Sequence, residues 1–397
     1  MNVYLETNNT SKCCGCGACA NACPKNCISL TTDGEGFVYP TVDVSVCINC
    51  NRCATVCPFE NREIVRTEAY PKAYGAHTKN KEYIMNSSSG GLFSEIANLF
   101  ISQGGVVCGV TIDANHKVFH TVIDSVDDIP LLQGSKYVQS DLARCYPQIE
   151  HTLSSGKKLL FTGTPCQVSA VKRLYKSPNL YTLDVLCHGV PSQKLFDEYI
   201  KYLEKKHGGR LTEIAFRDKE RNGWSITQRY KIEKKGKENT YYLDRHLSEY
   251  FSGFLRNMTQ RESCYACPYT TIEREGDITL ADFWGVDKVR PELFFADGTS
   301  LLFANSERGD DLIQGVVDNI EIAEVDIKDA TYQNVNFISP PERHRHRSTV
   351  YAEVFSKGFK TVGRKIILPK NAYKYRLWAL LQKLHFVGPL NKKRKVK

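Results

Sequence analysis

Eight cysteines between Cys13 and Cys57 fall into two copies of one spacing. The first copy is Cys13, Cys16, Cys19 and Cys23, followed by Pro24; the second is Cys47, Cys50, Cys53 and Cys57, followed by Pro58. In each, a tight loop offers three thiolates to a single 4Fe-4S cluster, and the fourth cysteine, one helical turn on, reaches the other cluster. The spacing therefore predicts one cluster on Cys13, Cys16, Cys19 and Cys57 and its twin on Cys47, Cys50, Cys53 and Cys23. Zinc is the alternative, but two pairs of zinc ligands give no reason for a third cysteine three residues on. The chemistry implied is transfer of single electrons.

The elements that must hold these loops are small. Ile28 to Tyr39 reads as a hairpin turning at Asp33, Gly34 and Gly36, and residues 8–60 as a whole resemble a bacterial-type two-cluster ferredoxin. With 397 residues there is room for this unit and at least one large core. Sixteen cysteines behind a polar start, Met1 to Ser11, argue against a secreted disulfide protein and for a reducing, cytoplasmic setting. There is no apolar run long enough to span a membrane. The net charge of +9 is concentrated at one end: sixteen Lys and Arg follow Pro340 against Glu342 and Glu353, which leaves the rest mildly acidic.

After a linker over Asn61 to Lys72, Ala73 to His77 reads as a strand leading to Asn86-Ser87-Ser88-Ser89-Gly90-Gly91. Leu92, Phe93, Ile96, Leu99 and Phe100 then recur at helical spacing. A helix opened by serines and glycines presents free amides and the positive end of its dipole, an anion site at Ser88, Ser89, Gly90 and Gly91; an ordinary N-cap reads equally well. Val106 to Ile112 and Val118 to Ile123 are strands. Gly134-Ser135-Lys136-Tyr137 is a loop whose Lys136 could face a phosphate or a reduced flavin, ahead of a helix from about Asp141 to Leu153.

Lys158 to Thr162 is an apolar strand, turned by Gly163-Thr164-Pro165 into a helix marked by Val168, Val171 and Leu174. Leu180 to Leu186 is the next strand, and Leu195, Tyr199, Tyr202 and Leu203 lie on the helix that follows. Right-handed crossovers between parallel strands put both strand-to-helix loops on one sheet edge, so Cys166 and Cys187 should converge. Cys264-Tyr265-Ala266-Cys267-Pro268 supplies two partners, and a third 4Fe-4S cluster on Cys166, Cys187, Cys264 and Cys267 follows. A lone CxxC pair is weak evidence; the two waiting cysteines give it weight.

In this order the Ser-Ser-Gly-Gly loop, Gly134 to Tyr137, Gly163-Thr164-Pro165-Cys166-Gln167, Cys187-His188-Gly189, the CxxC pair and Asp277 to Gly285 resemble the beta subunit family of coenzyme F420 hydrogenases and dehydrogenases, over about residues 8–345. The resemblance implies FAD beside an iron-sulfur cluster on the same four cysteines, an α+β fold with a mixed, partly parallel sheet, and an oxidoreductase. Flavin would fall to Ser88, Ser89, Gly90, Gly91, Gly134, Ser135, Lys136, Tyr137, Gly163 and Thr164. It does not carry over an acceptor, since family members serve a deazaflavin, a porphyrin-type ring or other molecules, and coenzyme F420 is not assigned. Electrons would enter from a donor such as ferredoxin and reach a small organic substrate, or run in reverse; the alternative is an electron-transfer subunit feeding a partner enzyme.

Lys136, His188 and Asp282 are weak catalytic candidates. Arg210 to Asp244 reads as strands with a charged turn at Lys234 to Glu238, and Phe216 to Lys219 and Gly223-Trp224 could face the site. Trp224 and Trp284 read as core aromatics, and Cys14, Cys27, Cys108 and Cys145 as free, mostly buried thiols. The domains expected are 1–62, the ferredoxin unit, 73–345, the flavin and iron-sulfur unit, and 346–397, a basic, partly helical tail. In the tail Leu377, Trp378, Leu381 and Leu384 share one helical face ahead of the run Lys392 to Lys397. Such a helix packs on the body or rests on an anionic membrane surface. No nucleic-acid-reading module is visible.

Overall fold

The computed structural model describes residues 1–60 and 69–383. Most of the expected linker, together with Leu384 and the run Lys392 to Lys397, lies outside the described residues. The amino-terminal unit has two strands, β1 (Ile28–Thr32) and β2 (Val38–Val42), paired antiparallel as the expected hairpin. Asp33 closes its turn by accepting from the amides of Glu35 (2.9 Å) and Phe37 (2.8 Å). A short helix follows each cysteine loop, Ala18–Asn21 and Arg52–Thr55.

The body begins with β3 (Lys72–Thr78), β4 (Val106–Ile112), β5 (Val118–Ile123), β6 (Leu159–Gly163) and β7 (Leu180–Val185). After them come β8 (Arg210–Ala215), β9 (Thr227–Lys234), β10 (Lys237–Asp244), β11 (Ile278–Asp282), β12 (Ser300–Ala304) and β13 (Ile320–Val325). The main sheet has the order β13-β3-β12-β11-β7-β6-β4-β5. Its centre, β11-β7-β6-β4, is parallel and its flanks are antiparallel, the mixed sheet expected. β6 is buried along its whole length, as a strand covered on both faces must be. A separate antiparallel sheet holds β8, β9 and β10, with the charged turn at the expected residues.

Helices cover both faces. Leu92–Ser102 buries Leu92, Ile96, Ala97 and Phe100 against β3, β4 and β12 residues. Gln193–His207 is capped by Ser192 and stopped by left-handed Gly208. It buries Leu195, Phe196, Tyr199 and Leu203, each worth about 1.5–3 kcal/mol when fully covered. The helix expected from Asp141 starts later, at Tyr146–Ser154 after a 3-10 turn, because Asp141 itself bridges to Phe119 on β5. The segment expected as a tail from 346 is core for its first part: Val350, Tyr351, Val354, Phe359, Val362 and Ile367 pack with Phe196 and Tyr199. A last helix, Ala372–Lys383, leaves Leu377 and Leu380 exposed. Among the described residues no helix is long and apolar enough to cross a membrane.

Candidate functional site

The parallel centre of the sheet positions the chemistry. β6 and β7 lie side by side, so the loops after them open on one edge. Thr164 caps the helix Pro165–Leu174 through a capping box with Gln167, Pro165 takes its first position, and Cys166 is fixed in the first turn. The Thr164 hydroxyl lies 3.3 Å from Cys166 Sγ. In the second loop the Gly189 amide donates to Cys187 Sγ (3.3 Å), and the Val190 carbonyl accepts from the amide of Arg261 (2.9 Å), tying this loop to the turn Glu262–Ala266 that carries Cys264. Asp184 of β7 grips Arg274 (2.8 Å), whose Nη1 donates to the Tyr269 carbonyl (2.6 Å), holding the chain beyond Cys267 against the strand.

Cys166, Cys187, Cys264 and Cys267 thus line one cavity of about 40 Å³. Among the described residues, no three His, Cys, Asp or Glu side chains close on a point as a lone ion requires. The four thiols line one cavity, and a cubane takes one thiolate per iron. Burial pushes the Cys187 thiol up to about 12 and Cys264 well above the ordinary range. Such thiols ionise only beside compensating positive charge, which iron supplies.

Cys14 lines the same cavity and lies within electrostatic reach of both Cys16 and Cys166. The neighbouring Cys14 is the chief cause of the lowered Cys166 pKa, about 7. Read from the sequence as a thiol of no particular place, Cys14 is the contact between the ferredoxin unit and the third cavity. Cys27 is a free, buried thiol as expected; its sulfur is 3.4 Å from that of Cys23, and it lines a cavity of about 20 Å³ with Cys23, Cys47, Cys50 and Cys53. Cys13, Cys16, Cys19 and Cys57 form the remaining ring, each thiol within electrostatic reach of the others, and burial pushes Cys57 up to about 12. Cys108 and Cys145 are buried as expected, with sulfurs 3.4 Å apart.

Side chains of the body hold the first ring by its backbone. The buried guanidinium of Arg261 donates to the carbonyls of Cys13 (2.7 Å) and Val38 (2.8 Å) and lies over the Tyr39 ring. Gln139 donates to the Cys14 carbonyl (2.9 Å), Tyr146 to that of Cys16 (2.8 Å) and Tyr269 to that of Pro58 (2.7 Å). Gly15 has φ +68°, and a side chain there would stand 2.8 Å from both Arg261 Nη1 and the Val38 carbonyl, so glycine admits this approach. Arg261 carries no signal in the sequence beyond preceding Cys264 by three residues.

Further along the same edge the remaining motifs meet. The Ser135 amide donates to Ser88 Oγ (2.9 Å), joining the two glycine loops. Arg217 donates to the Ser88 carbonyl (3.0 Å) and the Tyr137 hydroxyl (3.2 Å) and forms a two-pronged pair with Asp282 at the end of β11. Trp224 Nε1 donates to Asp282 (2.7 Å), and its ring stacks on Trp284 at 4.9 Å and 5°. Lys219 donates to the carbonyls of Ile84 and Ser89; burial lowers its pKa to about 8, helped by Arg217. The two tryptophans, expected as plain packing, are also part of this polar junction.

Other candidates lie differently. The Gly90 amide is taken by Ser300 Oγ (2.8 Å) and its carbonyl accepts from Thr78 (2.8 Å), so this glycine seats the loop on β3 and β12; Gly91 is the N-cap. Gly163 is packed beneath Gln167 and His120, and Thr164 faces the thiol cavity. Lys136 turns onto the carbonyls of Gln133 (2.8 Å) and Leu131 (3.3 Å), where burial lowers it to about 7; Gly134 is exposed beside it. His188 hydrogen-bonds Asn336 through Nδ1 (3.0 Å) and stands edge-on to Phe254.

Residues 156–330 match the family described as the C terminus of the coenzyme F420 hydrogenase/dehydrogenase beta subunit, and residues 12–61 match the 4Fe-4S dicluster domain. The chain is thus similar to a 4Fe-4S dicluster domain in its amino-terminal part and, further on, to the C terminus of the coenzyme F420 hydrogenase/dehydrogenase beta subunit. A chain of the F420-reducing NiFe hydrogenase complex from Methanosarcina barkeri is similar at 16% identity and a TM-score of 0.45, over 78% of this chain and 97% of that one. No curated protein matches.

Proposed function

We propose that the chain is an iron-sulfur flavoprotein oxidoreductase that exchanges electrons with a ferredoxin-like donor at its amino-terminal unit and with a small organic acceptor at FAD. Cys13, Cys16, Cys19 and Cys57 would hold one cluster, Cys23, Cys47, Cys50 and Cys53 a second, and Cys166, Cys187, Cys264 and Cys267 a third. When bound, the clusters carry single electrons and the flavin pairs them for two-electron chemistry. The observation that carries the reading is the cavity lined together by Cys166, Cys187, Cys264 and Cys267 of the body and Cys14 of the amino-terminal unit. Lys219 and Arg217 at the Ser88-Ser89 loop are engaged by carbonyls and Asp282, so the FAD reading rests on the resemblance and on the Ser88 and Ser135 loops that meet there.

The test is iron and flavin per chain after anaerobic purification, in the wild type and in a Cys264→Ser, Cys267→Ser double variant. About 12 irons falling to about 8, with close to one FAD in the wild type, is the expected result. About 8 irons unchanged by the substitutions, without flavin, overturns it. A second reading, an electron-transfer subunit of a larger enzyme, is favoured by the matched family, which is one of beta subunits. It predicts turnover only after a partner chain is added.

A further inference from the structure

We propose that the face around Cys50 is the docking surface for an acidic electron-carrier protein, and that the Cys23, Cys47, Cys50 and Cys53 site is the port through which electrons pass between carrier and chain. This rests on the iron-sulfur reading above. The two ferredoxin sites differ in place. Cys16, Cys19 and Cys57 are buried, and the body grips their loop through Arg261, Tyr146 and Tyr269. Cys50 is exposed, and Cys23 and Cys47 are half-buried. Electron exchange weakens steeply with distance, so a carrier works best from the side where a cysteine sulfur meets solvent.

The surface there is built as transient redox interfaces are, with an apolar centre and a charged flank. Val44, Val46 and Ile48 alternate along the loop that leads to Cys50 and are 70%, 46% and 56% exposed. Asp43 starts the loop and is turned onto Ser45, whose hydroxyl donates to it at 2.6 Å, and Glu6 pairs with the amino terminus. Lys25 and Arg52, both exposed, line the same cavity as the four cysteines. The flank is therefore basic, although the chain before Pro340 is acidic overall, and it complements an acidic carrier. In the transfer the reduced carrier loses one electron and the site gains one; no bond is made or broken.

The experiment uses the purified, cluster-loaded full chain in anaerobic stopped flow, with a reduced acidic two-cluster ferredoxin as the probe. Lys25→Glu with Arg52→Glu, and separately Val44→Ser with Ile48→Ser, are compared with the wild type. Methyl viologen radical, a small cation that needs no docking surface, is the control reductant. At low salt the charge reversal is expected to slow ferredoxin oxidation about tenfold or more and to abolish its salt dependence. The apolar pair slows it at every salt concentration, and each ferredoxin rate is read relative to the same variant's viologen rate and iron content. Ferredoxin rates that neither variant changes overturn the proposal. So does a dimer that Val44→Ser with Ile48→Ser splits without changing those rates, which would make the face a self-interface. An iron count near zero, or no bleaching by viologen, would instead sink the iron-sulfur reading itself.

Discussion

His120 on β5 illustrates how one buried side chain sets a pH limit. Its Nε2 faces the Thr162 carbonyl at 3.2 Å, which can only accept, so Nε2 carries the proton. Nδ1 is then a buried lone pair with no partner among the described residues. Burial lowers the ring from its ordinary 6.5 to about 4. Between those values the unfolded chain binds a proton that the folded chain refuses. Stability is full above about pH 6.5 and declines as pH falls towards 4, by about 3 kcal/mol in all. His120→Asn, which keeps a donor for Thr162, is expected to flatten this acid slope. Anaerobic thermal melts at about pH 4.5 and 7 check it: equal slopes in variant and wild type would remove His120 as the cause.

At the scale of elements, the end of β11 joins four segments distant in sequence. Asp282 faces Arg217, and through it the loops of Ser88 and Tyr137, while Trp224 donates to the same carboxylate. Asp282→Asn leaves the buried guanidinium without its counter-charge, a change that typically costs about 3–5 kcal/mol. The expected outcome is a lowered melting temperature and flavin content with iron unchanged; loss of iron with flavin retained would put this junction at the cluster instead. Part of the arrangement was legible beforehand. Strand-helix alternation from Lys158 to Leu203 predicts parallel strands, and parallel strands predict the meeting of Cys166 and Cys187. The junction was not legible, because Arg217 and Ser88 lie 129 residues apart and carry no shared spacing. The same holds for Arg261 and the Cys13 carbonyl, 248 residues apart, and for the helix Arg347–Lys357, whose buried Val350, Tyr351 and Val354 are masked in the sequence by surrounding basic residues.

For the whole molecule, the decisive feature is how tightly the ferredoxin unit is held. Arg261, Gln139, Tyr146 and Tyr269 all donate to carbonyls of the cysteine loops, Ser192 donates to the Glu35 carbonyl (2.6 Å), and Arg347 pairs with the Glu35 side chain. Arg261→Gln removes two backbone bonds and a buried charge beside Cys13. Stranding those buried carbonyls is expected to cost about 1–3 kcal/mol each and to expose residues 1–60 to limited proteolysis while the body stays resistant. Cleavage unchanged from the wild type would show that the other contacts suffice.

The third cavity takes part of its wall from the ferredoxin unit, through Cys14 and Phe59, and the rest from the body. On the proposed assignment this imposes an order of maturation. The wall around Cys166, Cys187, Cys264 and Cys267 is complete only once the two units have met, so that site is finished after the ferredoxin unit has docked. The site at Cys50 stays open to a late delivery. A chelator working on the finished protein would meet the exposed Cys50 end first and the site of the buried Cys16, Cys19 and Cys57 last.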